Sequence, residues 1–138
     1  MKRVVLASLV AILAAPAFAQ IADPEIEALM KRYADRFNKG DVATLANEIY
    51  ARGDQAALTA KFEALRRDEF GKLDLYGFKA CPVVGDKAKV EMRYGLLYTY
   101  GGLMNGDQTK VFDLVKTPAG WRIASETDTP FDQQLTCG

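Results

Sequence analysis

The sequence contains no histidine, and this absence removes several kinds of chemistry from a single chain. Ser-His-Asp and Cys-His nucleophilic sites both need an imidazole, and histidine is also the commonest zinc ligand. Basic blocks are missing too, because 18 Lys and Arg residues are balanced by 18 Asp and Glu residues spread along the chain. Nucleic acid is therefore a poor candidate partner, since binding it needs clustered positive charge. We expect neither a metal nor a cofactor.

Long apolar runs are absent except at the N-terminus, where Lys2 and Arg3 precede VVLASLVAILAA. Ala17 and Ala19 then frame an A-x-A cleavage box, as in secretory signal peptides. The run is shorter than the roughly 20 apolar residues that a membrane span needs. The sequence predicts a signal peptide over residues 1–19 and a single domain over residues 20–138. We expect the mature domain to contain no membrane span and to be exported to the periplasm or secreted. An uncleaved N-terminal anchor is the alternative.

Cysteine is scarce, with only Cys81 and Cys137 in the chain. Export to an oxidising compartment favours a disulfide between them, which would close a long loop and hold the C-terminal tail. A catalytic or metal-binding pair of thiols is the alternative, but no C-x-x-C spacing or neighbouring histidine supports it.

The first half of the predicted mature chain has the apolar spacing of helices. Asp23 and Pro24 form a helix start, with Asp as the N-cap and Pro at the first helical position. Gly40 ends this helix, and Asp41 and Asp54 can cap a second and a third.

After residue 71 the apolar spacing changes to a period of two, which is typical of strands. The predicted strands cover residues 73–80, 87–100, 109–116 and 121–128. Gly95, in the second strand, is expected to form a bulge or bend. Helices followed by a meander of antiparallel strands predict an α+β domain with the helices packed on one face of a strongly bent sheet.

Two stretches of the chain resemble the NTF2-like (nuclear transport factor 2-like, SnoaL-like, cystatin-like cone) superfamily. The stretch EIEALMKRYADRFNKGDVATLANEIYA resembles the opening of that superfamily. In this stretch, aromatic residues precede N-x-G-D and a second short helix. The stretch KVFDLVKTPAGWRIASETD resembles the last hairpin of that superfamily, in which a turn leads through G-W-R-I into the last strand. Within that run, Trp121 is interpreted as a packing residue on the convex or subunit-facing surface of the sheet.

The resemblance implies a bent sheet wrapped around the helices into a cone, whose open end often holds a ligand or a site. Members include ketosteroid isomerase-like and SnoaL-like enzymes, dehydratases, association domains and proteins without known chemistry, so the fold does not give the function. Many members carry His or Asp just after G-W-x-I. Here those positions are Ser125, Glu126, Thr127 and Asp128, which argues against chemistry that needs a histidine.

An isomerase or lyase of this fold would use a carboxylate to move a proton at carbon and a phenol to stabilise the enolate. The candidate bases are Asp113, Glu126 and Asp74. The candidate hydroxyl donors are Tyr76, Tyr94, Tyr98 and Tyr100, and the candidate ligand-binding residues are Tyr76, Tyr94, Tyr98, Ser125 and Thr127. Sheet packing is the alternative role for the tyrosines, because aromatic residues at period two are typical of a half-buried strand.

Asp113 lies between Phe112 and Leu114, so its side chain points away from theirs in a strand. If those two residues face the helices, Asp113 lies on the outer face. It would then stand opposite Arg93 or Arg122, in an exposed cross-strand ion pair worth less than about 1 kcal/mol. If it faced the interior instead, burial would raise its pKa and suit it to act as a base.

The leading hypothesis is an exported NTF2-like domain that binds a small apolar or amphipathic ligand in its cone without catalysis. One alternative is a cofactor-independent isomerase, dehydratase or cyclase, with Asp113 or Glu126 as the base and Tyr94 or Tyr98 as the hydroxyl donor. Another is a non-catalytic interaction module that forms a homodimer through its exposed sheet face.

Overall fold

The computed structural model describes residues 23–67, 70–98, 108–130 and 133–137, without the side chains of residues 70, 71, 97 and 98. Within these ranges, three helices precede four strands. The predicted signal peptide, its cleavage site and Tyr100 lie outside the described residues. Among the described residues, no helix is both long and apolar enough to cross a membrane.

Helix α1, Pro24–Lys39, begins and ends where the sequence predicts. The Asp23 carboxylate accepts a hydrogen bond of 2.9 Å from the backbone N–H of Glu25, and Pro24 needs no acceptor at the first position. Gly40 ends the helix with a φ of 73°, a left-handed conformation that glycine adopts without strain. The predicted boundaries of the first helix are confirmed.

The next two helices also begin at capping aspartates. Helix α2, Val42–Thr44, starts after Asp41, whose carboxylate accepts from the Thr44 backbone N–H at 3.2 Å, and it continues as a π-helical turn, Leu45–Ile49. Helix α3, Gln55–Arg67, follows Asp54, which accepts from the Ala57 backbone N–H at 3.0 Å. Both predicted helix starts are confirmed.

The sheet is an antiparallel meander in the order β1-β2-β3-β4. Its strands are β1 (Phe70–Ala80), β2 (Lys87–Tyr98), β3 (Gln108–Thr117) and β4 (Gly120–Thr129). Strand β1 begins three residues before the predicted position, because pairing with β2 continues past an irregularity between Phe70 and Lys72.

A bulge lies in β1 next to Gly95, and not at Gly95 itself as predicted. Leu75 pairs with Tyr94 and Gly77 pairs with Arg93, which leaves Tyr76 as the extra residue. The Tyr76 hydroxyl covers Gly95, where a Cβ atom would overlap it. The glycine thus gives the Tyr76 ring room to lie against the sheet.

One face of the sheet, here called the inner face, packs against the helices. Its fully buried residues include Val90 and Met92 of β2, Phe112 and Leu114 of β3, and Ile123 of β4. The ring of Tyr33 from α1 lies 5.1 Å from the ring of Phe112, edge to face. The resulting core is continuous between helices and sheet.

Trp121 does not lie on the convex or subunit-facing surface of the sheet, where it was predicted to pack. It is 3% exposed and belongs to the core, on the same face as Ile123. The register pairs Trp121 with Lys116 and Ile123 with Leu114, so alternation along β4 turns both side chains inward.

The C-terminal tail crosses the opposite, outer face of the sheet and is held there by a disulfide. Cys81 and Cys137 are bonded with their Cα atoms 5.5 Å apart, which confirms the predicted pairing. Residues 133–136 share a cleft with Glu91 and Val111. Glu91 is only 1% exposed although it lies on the outer face, and Arg93 Nε is 3.3 Å from its carboxylate.

Candidate functional site

A bulge in β4 decides which residues reach the inner face near the end of that strand. Leu114 pairs with Ile123, whereas Asp113 pairs with Ser125, so Ala124 is an extra residue without a partner. The alternation along β4 therefore shifts by one residue after Ile123. Glu126, which pairs with Phe112, comes to the inner face in place of Ser125.

Glu126 is the centre of a group of polar side chains on this inner face. Its Oε2 atom accepts a hydrogen bond of 2.5 Å from the hydroxyl of Tyr50, and its Oε1 atom accepts one from Lys61 Nζ. The Lys110 Nζ atom lies 3.6 Å from Glu126 and also 3.6 Å from Asp128. Together with Tyr94 these residues form what we call the polar cluster: Tyr50, Lys61, Tyr94, Lys110, Glu126 and Asp128.

The carboxyl group of Glu126 is ionised although its side chain is only 10% exposed. Burial alone would raise its pKa, but the positive charge of Lys110 and the hydrogen bonds from Lys61 and Tyr50 outweigh it and lower the pKa below its usual value. Glu126 is therefore a stable anion and a weak proton acceptor.

The tyrosines around Glu126 remain protonated. Burial, then the electrostatic effects of Tyr33 and Glu126, raises the pKa of Tyr50 far above its ordinary value. Burial, followed by the charges of Asp128 and Glu126, also raises the pKa of Tyr94. Each of these hydroxyls is thus a hydrogen-bond donor at any physiological pH.

Two donors of the polar cluster have capacity for another acceptor. The Tyr94 hydroxyl makes no hydrogen bond to any residue that the structure describes, although Tyr94 is only 6% exposed. Lys110, of which 11% of the side chain is exposed, lies 3.6 Å from its two carboxylates, beyond the usual 2.7–2.9 Å of a charged hydrogen bond. Each of the two groups could donate to an acceptor atom of a ligand.

Asp113 lies on the outer face, as alternation with Phe112 and Leu114 predicts. The prediction that Arg93 or Arg122 stands opposite Asp113 is wrong. In the register Asp113 stands between Lys89 of β2 and Ser125 of β4, and the Ser125 hydroxyl donates to its Oδ2 atom at 3.1 Å. The sheet thus separates Asp113 from Glu126.

The other predicted site residues are divided between the two faces. Glu126 and Tyr94 are both on the inner face within the polar cluster, while Ser125 and Thr127 pair with outer-face residues of β3. Asp74 pairs with Gly95 and is exposed, and Tyr76 is 50% exposed against the outer face. Tyr98 ends β2, and its side chain lies outside the described part of the structure.

Three members of the polar cluster were not predicted from the sequence: Tyr50, Lys61 and Lys110. Tyr50 follows the π-helical turn, and its backbone forms an isolated bridge to Ile123, which brings it beside β4. Lys110 had a usable signal, since it alternates with Phe112 and Leu114 and so had to share their inner face. Among the described residues, no group of three or more His, Cys, Asp and Glu side chains could hold a metal ion.

Comparison with known proteins identifies the fold. No protein-family model matches the chain, and no curated protein sequence matches it. Among solved structures, an NTF2-like protein with a cystatin-like fold from Novosphingobium aromaticivorans superposes with a TM-score of 0.58 at 23% identity, covering 80% of this chain and 82% of the other. A single-site variant of Rv3472, a protein of unknown function from Mycobacterium tuberculosis, gives 0.62 at 23% identity, covering 78% and 76%.

A third similar structure is a putative calcium/calmodulin-dependent protein kinase II association domain from Xanthomonas campestris. It gives a TM-score of 0.64 at 16% identity, covering 84% of this chain and 94% of the other. The predicted α+β class and the NTF2-like, cystatin-like fold are therefore confirmed. At these identities the likeness shows the fold alone and carries no function with it.

Proposed function

We propose that this chain, which has the NTF2-like fold, binds a small amphipathic ligand at the polar cluster, on the inner face of its curled sheet. The observation that carries this proposal is the Tyr94 hydroxyl, which bonds to no described residue although Tyr94 is only 6% exposed. This hydroxyl is not among the buried side-chain atoms that lack a partner, so its oxygen is accessible to a ligand. Sites that bind small molecules commonly present a few such polar groups among apolar walls.

The polar group of the ligand is an oxygen acceptor, such as a carbonyl, hydroxyl or carboxylate. Tyr94 and Lys110 both donate to it, and Tyr94 stays protonated because its pKa is raised. Glu126 and Asp128 fix the ammonium group of Lys110 from the other side.

The apolar part of the ligand lies along the leucines beside Tyr94. Leu75 pairs directly with Tyr94 across the sheet, and Leu96 is the next residue on the same face. Both are only partly buried against the core, so apolar surface is available next to the polar donors. Apolar walls with a few convergent polar groups are typical of small-molecule sites.

Binding is better supported than proton transfer. A general base works best with a pKa near the operating pH, whereas the pKa of Glu126 is lowered and its oxygens are already bonded to Tyr50 and Lys61. Of the other two candidate bases, Asp113 lies on the outer face and Asp74 is exposed. The isomerase alternative thus lacks a poised carboxylate at all three positions.

Binding is also better supported than pairing through the sheet. A homodimer would use the outer face, part of which lies beneath residues 133–136. We further propose that the chain is exported, and the Cys81–Cys137 disulfide supports this, because disulfides persist in oxidising compartments.

Native mass spectrometry of protein purified from its own host tests the binding proposal. We expect a bound small molecule on the wild-type protein that is reduced or lost in Tyr94→Phe, which removes only the free hydroxyl. Tyr76→Phe removes a hydroxyl on the outer face, where the Tyr76 side chain lies against Gly95, and should retain the ligand. Equal retention by Tyr94→Phe and the wild type, or no bound molecule at all, would count against the proposal.

A further inference from the structure

A second cleft lies between α1 and the turn that joins β3 to β4. Its volume is about 500 Å³, and it shares no residue with the polar cluster. One wall is a single face of α1, and the opposite wall is formed by the turn and the first residues of β4. The residues from α1 are Glu25, Ala28, Leu29 and Arg32, and those from the sheet run from Lys116 to Arg122.

The charged groups of this cleft are mostly cationic: Arg32, Lys116 and Arg122 stand against one carboxylate, Glu25. Arg122 makes no ion pair with any residue that the structure describes, and its Nη1 atom donates only to the neighbouring Trp121 carbonyl at 3.0 Å. Since a guanidinium has five N–H donors, most of those on Arg122 remain for another acceptor.

The other two cations are held loosely. Lys116 Nζ is 3.5 Å from Glu25, and Arg32 is 3.4 Å from Glu48, with all four side chains about half exposed or more. Exposed pairs of this kind contribute little and are easily exchanged for another anion. The cleft can therefore present three cations to a ligand without breaking a buried interaction.

Trp121 lines the cleft and adds one more donor. The residue is 3% exposed, and within the described part of the chain its buried indole N–H has no hydrogen-bond acceptor. Lys116 Nζ lies 5.7 Å from the centre of the indole ring. Ala28 on the facing helix and Pro118 and Ala119 of the turn are exposed in the lining, so apolar groups adjoin the cationic ones.

We propose that this cleft binds a small organic carboxylate. The planar guanidinium of Arg122 matches a carboxylate in a two-point contact, and Lys116 and Arg32 add charge from the sides. The apolar body of the ligand lies between Ala28 of α1 and the turn residues Pro118 and Ala119. A neutral apolar molecule has no negative charge to bind the three cations. An inorganic anion has no apolar part to contact the apolar residues of the cleft.

The intrinsic fluorescence of the protein reports on this cleft directly, because Trp121 is the only tryptophan in the chain. We would titrate cyclohexanecarboxylate, which is transparent where tryptophan is excited, and compare it with cyclohexylmethanol and with sulfate. We expect a saturable change in Trp121 emission with the carboxylate, and at least tenfold weaker binding of the alcohol and of sulfate. Equal binding of either comparison compound would overturn the assignment of an organic carboxylate.

Variants locate the binding. Arg122→Gln removes the two-point contact and should weaken carboxylate binding by about tenfold or more, as expected for a charged hydrogen bond. Arg67→Gln makes the same change in charge at the exposed end of α3 and should leave it unchanged. Tyr94→Phe should also leave it unchanged, which separates this cleft from the polar cluster. The proposal fails if wild-type emission does not change, or if Arg122→Gln binds as the wild type does.

Discussion

The hydroxyl of Tyr50 donates a 2.5 Å hydrogen bond to the carboxylate of Glu126, which lies 76 residues later in the chain. This contact ties the segment after the π-helical turn to the last strand. It also brings the only strongly buried carboxylate of the polar cluster into contact with a protonated phenol. The stability of the fold and its response to pH should therefore both depend on this pair.

Replacing Glu126 with Gln should destabilise the protein by about 1–3 kcal/mol at neutral pH, because Lys110 and Lys61 lose an anion. The pKa of Glu126 is lowered in the folded state, so its contribution is present above the unfolded value of about 4.3 and is lost as the pH falls through the folded value. Urea denaturation at about pH 7 and about pH 3 should show the difference between variant and wild type shrinking in acid.

The matched control for this carboxylate is Asp113→Asn on the outer face, where Ser125 is the one described residue bonded to the side chain. We expect a change below about 1 kcal/mol at neutral pH. If Asp113→Asn were as damaging as Glu126→Gln, the assignment of the buried charge to Glu126 would be wrong.

Replacing Tyr50 with Phe should cost about 1.5–3 kcal/mol near pH 7, the usual value of a hydrogen bond to a charged group. The folded pKa of Tyr50 is raised, so its contribution is fully present below the unfolded value of about 10 and is lost as the pH rises above it. Denaturation at about pH 8 and about pH 11 should therefore show the gap between wild type and variant narrowing at the higher pH. A gap that does not change with pH would contradict the burial of this phenol.

Deleting Ala124 should leave Glu126 in the polar cluster. Ile123 and Ser125 already pair with the consecutive residues Leu114 and Asp113, so the deletion joins these pairs into a regular ladder and Glu126 stays on the inner face. Replacing Glu126 with Gln should therefore cost about 1–3 kcal/mol in the deletion variant as well. Urea denaturation of the deletion variant with and without this second change measures the cost. A cost near zero would contradict the pairing given for β4.

Reducing the Cys81–Cys137 disulfide should lower the free energy of unfolding by up to about 4 kcal/mol, since it closes a loop between residues 56 positions apart. The released tail should also expose Glu91, which is 1% exposed in the intact fold. Carbodiimide labelling of carboxylates, read by mass spectrometry with and without reductant, should show faster modification of Glu91 once the tail is released. Unchanged labelling of Glu91 would mean that the tail does not cover it.

The sequence predicted the helices well because their signals are local. Asp23 with Pro24, and later Asp41 and Asp54, each cap a helix within one turn of themselves. The alternation of Phe112, Asp113 and Leu114 likewise placed Asp113 on the outer face without any knowledge of its neighbours.

The candidate site was harder to predict, because a single unpaired residue in β4 changes which of the following side chains face inward. Strict alternation from Trp121 and Ile123 points to Ser125 and Thr127 as inward residues, and the bulge at Ala124 selects Glu126 instead. No turn residue marks Ala124 as a bulge. Tyr50 was missed for a different reason, since its contact with Glu126 depends on how a helix segment packs beside β4, which spacing along the chain does not contain.

A crystal structure of the protein purified from its own host tests the central claim most directly. We predict ligand density on the inner face, with an oxygen atom within hydrogen-bond distance of both Tyr94 Oη and Lys110 Nζ and an apolar body along Leu75 and Leu96. Side chains filling this region, with Tyr94 Oη bonded to the protein's own atoms, would contradict it.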